Sequence, residues 1–207
     1  MARAATGTAT AIEVETPHGP ARAHLHPADD PRGAVILGHG AGGGVDAPDL
    51  VAATDAARAE GFSVVLVEQP YRVAGKRSQP RADRLDTAWT AVVEHLRGAE
   101  LRELPLIVGG RSAGARVACR TAADCGAVAV LCLAFPVRSP AGKAKSRQSE
   151  LNAVRLPTLV VQGDRDQFGR PRAGANRSVV IVSGNHGLKS DLDAVGAAVR
   201  DWVPGVV

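Results

Sequence analysis

The chain has 207 residues, of which 45% are hydrophobic, 22% charged and 3% aromatic, and its formal net charge is +4. This size and composition predict one globular domain over residues 1–207 and exclude a disordered chain, and no apolar run approaches the roughly 20 residues of a transmembrane helix. The basic residues are scattered and have few aromatic neighbours for base stacking, so we expect no nucleic-acid partner.

The N-terminal segment and the cysteines indicate a cytoplasmic protein. "MARAATGTATAIEVET" holds no continuous apolar stretch of the signal-peptide type. Cys119, Cys125 and Cys132 are odd in number and lack metal-type spacing. Cys119 lies in a helical pattern and Cys132 in an apolar run, so we expect both to be small core residues, and a reactive thiol is the alternative. The sequence therefore predicts a soluble cytoplasmic protein without membrane contact, and it leaves the oligomeric state open.

Apolar runs alternate with helical patterns along the chain. Strands are predicted at 10–16, 21–26, 34–39, 63–69, 104–110, 127–135, 157–163 and 178–184. Helices are predicted at about 48–60, with Asp46 as a possible cap, and at 83–98, 113–123 and 188–203. The first two strands alternate polar and apolar residues, which is typical of an antiparallel edge, whereas the later ones are continuous Val/Leu/Ile runs. This order predicts an α/β protein with a doubly wound, mostly parallel sheet and an N-terminal edge hairpin at about 10–26.

The loop after the first long apolar strand, "VILGHGAGGGVD", admits two interpretations. Gly38, Gly40 and Gly43 match the G-x-G-x-x-G spacing that cradles a dinucleotide, and Glu68 closes the next strand where a ribose-binding acid belongs. Against this, the helix starts several residues late, and Asp46 brings a negative charge near the phosphates. The alternative is a loop whose backbone amide donates to an oxyanion.

A second loop, Gly110-Arg111-Ser112-Ala113-Gly114, has the pattern G-x-S-x-G between a predicted strand and a helix. A serine at such an elbow is held in a strained backbone conformation at the carboxyl end of the strand. The glycines two positions before and after it let the strand and the helix approach without Cβ clashes. The pattern predicts Ser112 as a nucleophile, and the alternative is a solvated turn serine.

A serine nucleophile needs a base, and the base needs an orienting acid. "TLVVQGDRDQFG" supplies Asp164 and Asp166 after one strand, and "SVVIVSGNHGL" supplies His186 after the last. These positions lie at the carboxyl ends of strands, where an open α/β sheet builds its sites. Asp164, directly after Gly163, suits a turn in which it accepts backbone amides. From the residues alone, either aspartate can serve as the acid.

Four segments, "GHGAGGG", "GGRSAGARVA", "GDRDQFG" and "GNHGL", together resemble the compact α/β-hydrolases, in particular the dienelactone-hydrolase-like and testis-expressed-protein-like groups. The match covers about residue 33 to the C-terminus, with core motifs at 33–203, and "EQPYRVAGKR" is similar to the second group. The resemblance implies the α/β-hydrolase fold and a triad of Ser112, Asp166 and His186. It also implies an oxyanion hole made by the amides of Ala41 and Ala113. Dienelactone hydrolase itself has cysteine in place of this serine.

The hydrolase interpretation uses both loops, the acid and the histidine, whereas a dinucleotide site explains only the glycine loop. We therefore predict a serine hydrolase that cleaves small soluble esters, thioesters or lactones through an acyl-serine intermediate, with no metal and no organic cofactor. A non-catalytic binding or scaffolding module of the same fold is the alternative, and a dinucleotide-binding Rossmann protein is the lesser one. Labelling by a fluorophosphonate would indicate the serine hydrolase rather than the non-catalytic module. Thermal stabilisation by a dinucleotide would indicate the Rossmann protein.

Basic residues cluster on two loops predicted at the same edge of the sheet. One cluster comprises Arg72, Lys76, Arg77, Arg81 and Arg84, and the other Arg138, Lys143, Lys145 and Arg147. They form either a solvated basic face or a positive funnel for an anionic small-molecule substrate. The candidates for substrate contact are His39, Tyr71, Arg72, Arg77 and Arg111. The connection at 137–156 is short and polar, which predicts no cap domain and a shallow, open site.

Overall fold

The computed structural model describes residues 9–139 and 146–207, which form one eight-stranded sheet covered by helices on both faces. The strands are Thr10–Val14 (β1), Ala21–His26 (β2), Gly33–Gly38 (β3), Phe62–Glu68 (β4), Leu106–Arg111 (β5), Ala129–Leu133 (β6), Thr158–Gly163 (β7) and Arg177–Val182 (β8). The α-helices are Pro48–Ala59 (α1), Pro70–Val73 (α2), Ala82–Gly98 (α3), Ala113–Thr121 (α4), Gln148–Ala153 (α5) and Leu192–Trp202 (α6). A 3₁₀ turn, Val203–Gly205, follows α6.

The sheet has the strand order β1-β2-β4-β3-β5-β6-β7-β8. β1 and β2 form an antiparallel edge, and β2 pairs antiparallel with β4. The remaining neighbours in the sheet, β4, β3, β5, β6, β7 and β8, all pair in parallel. This confirms the predicted doubly wound, mostly parallel sheet with its antiparallel N-terminal edge. Because β3 to β7 run parallel, the loops that follow them meet at one edge of the sheet.

The sheet is buried on both faces because alternate side chains of its central strands enter two separate hydrophobic clusters. In β3, Val35 and Leu37 pack with α1 and α6, whereas Ile36 packs with α3 and α4. All six residues of β3 are buried, as are all six of β7. A strand covered on both sides has no polar face, which is why these segments are continuous apolar runs in the sequence.

The structure differs from the sequence predictions at helix ends and in short elements. The last helix begins at Leu192 rather than 188, with Asp191 as its cap, whose side chain accepts from the Ala194 amide at 3.0 Å. α1 does begin at Pro48, but its N-cap is Ala47 without a side-chain hydrogen bond, so the predicted Asp46 cap is wrong. The short helices α2 and α5 were not predicted.

The connection between β6 and β7 carries no cap domain in its described part, which holds only the six-residue helix α5. Arg138 and Arg147 of the second basic cluster lie in this connection, and the Arg147 amide donates to Val137. Lys143 and Lys145 lie outside the described residues. Among the helices that the structure describes, none is long and apolar enough to cross a bilayer.

Candidate active site

Ser112 lies at a sharp turn between β5 and α4 and has a positive φ of 52°, which L residues adopt only under constraint. Two glycines make the turn possible. A Cβ on Gly110 or on Gly114 would collide with the carbonyl oxygen of Gly38 in the neighbouring strand. The elbow is therefore pressed against β3 at the start of the glycine loop, as the G-x-S-x-G pattern predicts.

Ser112, His186 and Asp166 form a continuous chain of hydrogen bonds. His186 Nε2 lies 2.9 Å from Ser112 Oγ, and His186 Nδ1 lies 2.8 Å from Asp166 Oδ2. Because a carboxylate only accepts, Nδ1 carries the hydrogen and Nε2 is left to accept from the serine hydroxyl. The Asp166 side chain is fully buried, and the His186 side chain is 16% exposed.

The surroundings of Asp166 fix the orientation of its carboxylate. Its Oδ1 accepts from the Phe168 amide at 2.8 Å, and its Oδ2 accepts from Gln162 Nε2 at 2.7 Å. Gln162 is itself buried and also donates to the Gly169 carbonyl at 3.0 Å. The Phe168 ring packs edge-on against the His186 imidazole, with centroids 4.5 Å apart. These contacts leave the carboxylate and the imidazole little freedom to move.

Asp164 performs a different task from Asp166. Its Oδ1 accepts from the Gly184 amide at 2.7 Å, which ties the end of β7 to the segment that leads into His186. This hydrogen bond lowers the pKa of the Asp164 carboxyl below its usual value. The structure thus brings Asp166, and not Asp164, to the histidine, and Asp164 holds the turn as its sequence position suggested.

The glycine loop is held from behind by His39 and Tyr71. His39 is buried, its Nδ1 donates to the Gly40 carbonyl at 2.8 Å, and its Nε2 accepts from the Gln69 amide at 3.1 Å. Burial lowers the pKa of His39, which keeps the ring neutral, as this pattern requires. The Tyr71 hydroxyl donates to the Ala41 carbonyl at 3.1 Å. Both side chains therefore contact the loop backbone, and His39 has no ring nitrogen free for a substrate.

The amides expected to form the oxyanion hole belong to Ala41, in this loop, and to Ala113, the first residue of α4. Within residues 9–139 and 146–207, neither amide donates a hydrogen bond to another group of the protein. The Ala113 amide is at a helix N-terminus, where backbone N–H groups have no partner within the helix. Such amides can donate to an external acceptor.

Arg111, the residue before the serine, connects three parts of the site. Its Nε lies 2.9 Å from Oδ2 of Asp49, a fully buried residue of α1. The two side chains form an ion pair, but the N–H of Nε does not point at the carboxylate well enough for a hydrogen bond. Its guanidinium also donates to the His186 carbonyl at 3.1 Å. A Cβ on Gly40 would lie 2.7 Å from Arg111 Nη1, so the guanidinium also packs against the glycine loop. Burial raises the pKa of Asp49, and the positive charge of Arg111 opposes this.

Comparisons with known proteins identify the family and the fold of the chain. Residues 31–193 match the family model described as an alpha/beta hydrolase domain. The chain belongs to the alpha/beta hydrolase family. XC6422 from Xanthomonas campestris, described as a serine hydrolase without lid, superposes with a TM-score of 0.77 at 23% identity, over 98% of this chain and 99% of that one.

Two further solved structures share the fold of this alpha/beta hydrolase. Dienelactone hydrolase from Anabaena variabilis matches with a TM-score of 0.77 at 18% identity, over 97% of this chain and 98% of that one. Est1E from Butyrivibrio proteoclasticus matches with a TM-score of 0.76 at 17% identity, over 94% of this chain and 98% of that one. At these identities the likeness establishes the fold and says nothing of the substrate.

The dinucleotide interpretation has little support in this alpha/beta hydrolase. Glu68, the candidate ribose-binding acid, is engaged at the sheet edge, with His24 Nε2 at 3.4 Å and Arg22 at 3.7 Å from its carboxylate. Gly38 serves the close approach of the serine elbow to β3. Contacts with the elbow therefore account for Gly38 and Gly40, whereas a Cβ on Gly43 would meet nothing within 4 Å.

Three functional neighbours of the hydrolase site were missed by sequence reasoning. They are Gln162, Phe168 and Asp49. Gln162 offered a signal, because it is a polar residue inside an apolar strand predicted to be buried. Nothing in the sequence separates Asp49 from other acids in first helical turns, since its partner lies 62 positions away in the chain.

Proposed function

We propose that this alpha/beta hydrolase is a serine hydrolase that cleaves small, soluble ester-type substrates through an acyl-serine intermediate. The observation that carries the proposal is the unbroken hydrogen-bond chain from Ser112 Oγ through His186 to the buried carboxylate of Asp166. The dienelactone hydrolase among the solved structures of this fold acts on a lactone, as its name states, which is consistent with an ester-type bond here.

The acylation half of the reaction begins with proton transfer from Ser112 Oγ to His186 Nε2. The oxygen attacks the substrate carbonyl carbon and forms a new C–O bond, and the negative charge moves onto the carbonyl oxygen. The amides of Ala41 and Ala113 donate to this oxyanion, an effect of about 2.7–4 kcal/mol per donor. The bond to the leaving oxygen then breaks, and His186 returns the proton to that oxygen.

Water completes the cycle in the deacylation half. His186 takes a proton from the water molecule, whose oxygen attacks the acyl carbon. The bond between the acyl carbon and Ser112 Oγ breaks, and the proton passes to the serine oxygen. Throughout both halves, Asp166 holds the imidazole in one tautomer and stabilises its positive charge.

The test is covalent labelling by a fluorophosphonate together with hydrolysis of 4-nitrophenyl acetate. We expect the wild-type protein to be labelled once and to hydrolyse the ester. Ser112→Ala should abolish labelling and lower kcat by on the order of 10⁴-fold or more, because no other oxygen is in position to attack. The Ser112→Ala protein must keep its circular dichroism spectrum and melting temperature. Undiminished turnover in this folded variant overturns the serine mechanism, and a wild type without labelling favours the non-catalytic module.

A further inference from the structure

A cavity of about 130 Å³ lies beside the glycine loop, between the end of β4 and the start of α3. We refer to it as the Lys76 cavity. Its lining residues are His18, Gln69, Pro70, Tyr71, Ala74, Lys76, Ser78, Pro80, Arg84 and Ala88. This lining combines two permanent cations, a serine hydroxyl and a histidine, and it contains no carboxylate.

The two cations of the Lys76 cavity lack the acidic partners that several other arginines of the chain have. Arg81 pairs with Asp83, Arg116 with Glu150, and Arg120 with both Asp86 and Glu150. Within the part of the chain that the structure describes, Lys76 and Arg84 have no acidic partner within 4.0 Å. Asp83, the nearest acid in sequence to Arg84, is taken by Arg81 at 3.3 Å. The positive charge at this cavity is therefore not neutralised from within the protein.

The helix at the cavity wall adds to the positive potential. α3 has 17 residues and begins at Ala82, between the cavity residues Pro80 and Arg84, and its N-cap residue makes no side-chain hydrogen bond. The partial positive charge of a helix N-terminus favours a nearby anion. Arg72 shapes the same loop, since its Nη1 donates to the Lys76 carbonyl at 3.3 Å.

The Lys76 cavity adjoins the proposed reaction centre through Gln69 and Tyr71. Both residues also line a smaller cavity of about 10 Å³, which reaches Ala113, the residue after the serine. Tyr71 in addition donates to the carbonyl of Ala41, whose amide is the other proposed oxyanion donor. Because neither lining includes Ser112 or His186, a substrate that reaches from Ser112 to Lys76 and Arg84 must pass Tyr71.

We propose that the Lys76 cavity is an anion subsite that binds the carboxylate of a short half ester while its ester carbonyl lies at Ser112. Lys76 and Arg84 supply the charge, and Ser78 supplies a hydroxyl donor. The inference rests on the proposed function and names its substrate class. It also changes the earlier expectation, because Arg77 lines neither cavity and Arg72 supports the loop rather than the lining.

The experiment compares two substrates that differ by one negative charge and one methyl group, 4-nitrophenyl hydrogen succinate and its neutral methyl ester. We expect the wild type to have a higher kcat/KM for the anionic ester, mainly through a lower KM. The contact of the substrate carboxylate with Lys76 and Arg84 forms on binding and persists in the transition state, so it stabilises both equally. The double variant Lys76→Gln/Arg84→Gln should lower the anionic-to-neutral ratio of kcat/KM about tenfold. The preference should also shrink when salt is raised to about 1 M, where the Debye length is about 3 Å.

The matched control is Arg77→Gln/Arg102→Gln, which removes the same charge from exposed residues that line neither cavity and pair with no acid in the described part of the chain. This control should keep the ratio within about twofold of the wild type, because screened surface charges contribute little. Equal losses in the two double variants would mean that only the general positive field of the protein surface matters, which overturns the subsite. A wild-type ratio of one or below also overturns it.

A binding measurement separates failure of the subsite from failure of the proposed function. If the wild type hydrolyses neither ester, the proposed function fails, and calorimetric binding of monomethyl succinate then decides about the cavity. A loss of affinity in Lys76→Gln/Arg84→Gln, with affinity retained in Arg77→Gln/Arg102→Gln, supports the subsite. Equal affinity in all three proteins, or no binding to the wild type, overturns it.

Discussion

At the scale of single residues, the site shows how two aspartates two positions apart acquire different tasks. Asp166 is fully buried and faces three donors, the side chains of His186 and Gln162 and the amide of Phe168. The Asp164 side chain is 37% exposed and accepts a hydrogen bond from the Gly184 amide. The difference follows from the turn after Gly163, which directs one carboxylate inward to the imidazole and the other toward the backbone of Gly184.

Replacing each aspartate by asparagine tests this division of tasks. Asp166→Asn should lower kcat for 4-nitrophenyl acetate by on the order of 10⁴-fold, because the imidazole loses its tautomer and its counter-charge. Asp164→Asn is the matched control, since its amide oxygen can still accept from Gly184, and it should keep its rate within about threefold. Steady-state kinetics on both purified variants measure the effect. The opposite ranking of the two variants would show that Asp164 is the orienting acid.

At the scale of secondary-structure elements, the decisive contact is the one between β3 and the serine elbow. The Gly38 carbonyl occupies the space that a Cβ on Gly110 or Gly114 would need. Because the obstructing atom belongs to the backbone of a buried central strand, it cannot move aside as a flexible side chain can. The spacing of the elbow glycines is therefore set by the distance between two neighbouring strands.

Gly114→Ala should destabilise the protein by about 3 kcal/mol or more, since the new methyl group forces α4 away from β3. The control is Gly98→Ala at the end of α3, where a Cβ would meet nothing within 4 Å. That change should stabilise the protein by about 0.5–1 kcal/mol, because alanine has less conformational freedom to lose. Urea unfolding measures both. A Gly114→Ala protein as stable as the wild type would contradict the close contact.

Prediction from the sequence succeeded best for elements with a strong pattern. The central strands are continuous apolar runs and the first two alternate polar and apolar residues, so all eight were located, and their ends moved by at most two residues. The helices α2 and α5 have four and six residues, too few for a helical period to show. Asp46 is not the cap, because its carboxylate lies beside Gly44 of the glycine loop. A Cβ built on Gly44 would lie 2.7 Å from Asp46 Oδ1.

At the scale of the whole molecule, the parallel sheet collects the proposed site at one edge from loops far apart in sequence. Ser112 and His186 are 74 positions apart, and Arg111 reaches the same His186 loop. Ordered motifs made this convergence predictable. The position of the Lys76 cavity could not be predicted, because it depends on the direction in which each cationic side chain leaves the loop. The spacing of residues in a loop does not determine that direction.

The open architecture leads to a last prediction about acyl-chain length. The described part of the connection between β6 and β7 holds no cap domain, and the Lys76 cavity and its smaller neighbour have volumes of about 130 and 10 Å³. Burying one methylene contributes ~0.8 kcal/mol, about fourfold in binding, but only if the protein removes it from water. We therefore expect kcat/KM for neutral 4-nitrophenyl esters to rise little from acetate to butyrate and then to fall toward laurate. It should show no increase when the laurate ester forms micelles. A steady rise of about fourfold per methylene up to laurate would reveal an apolar channel and contradict the open site.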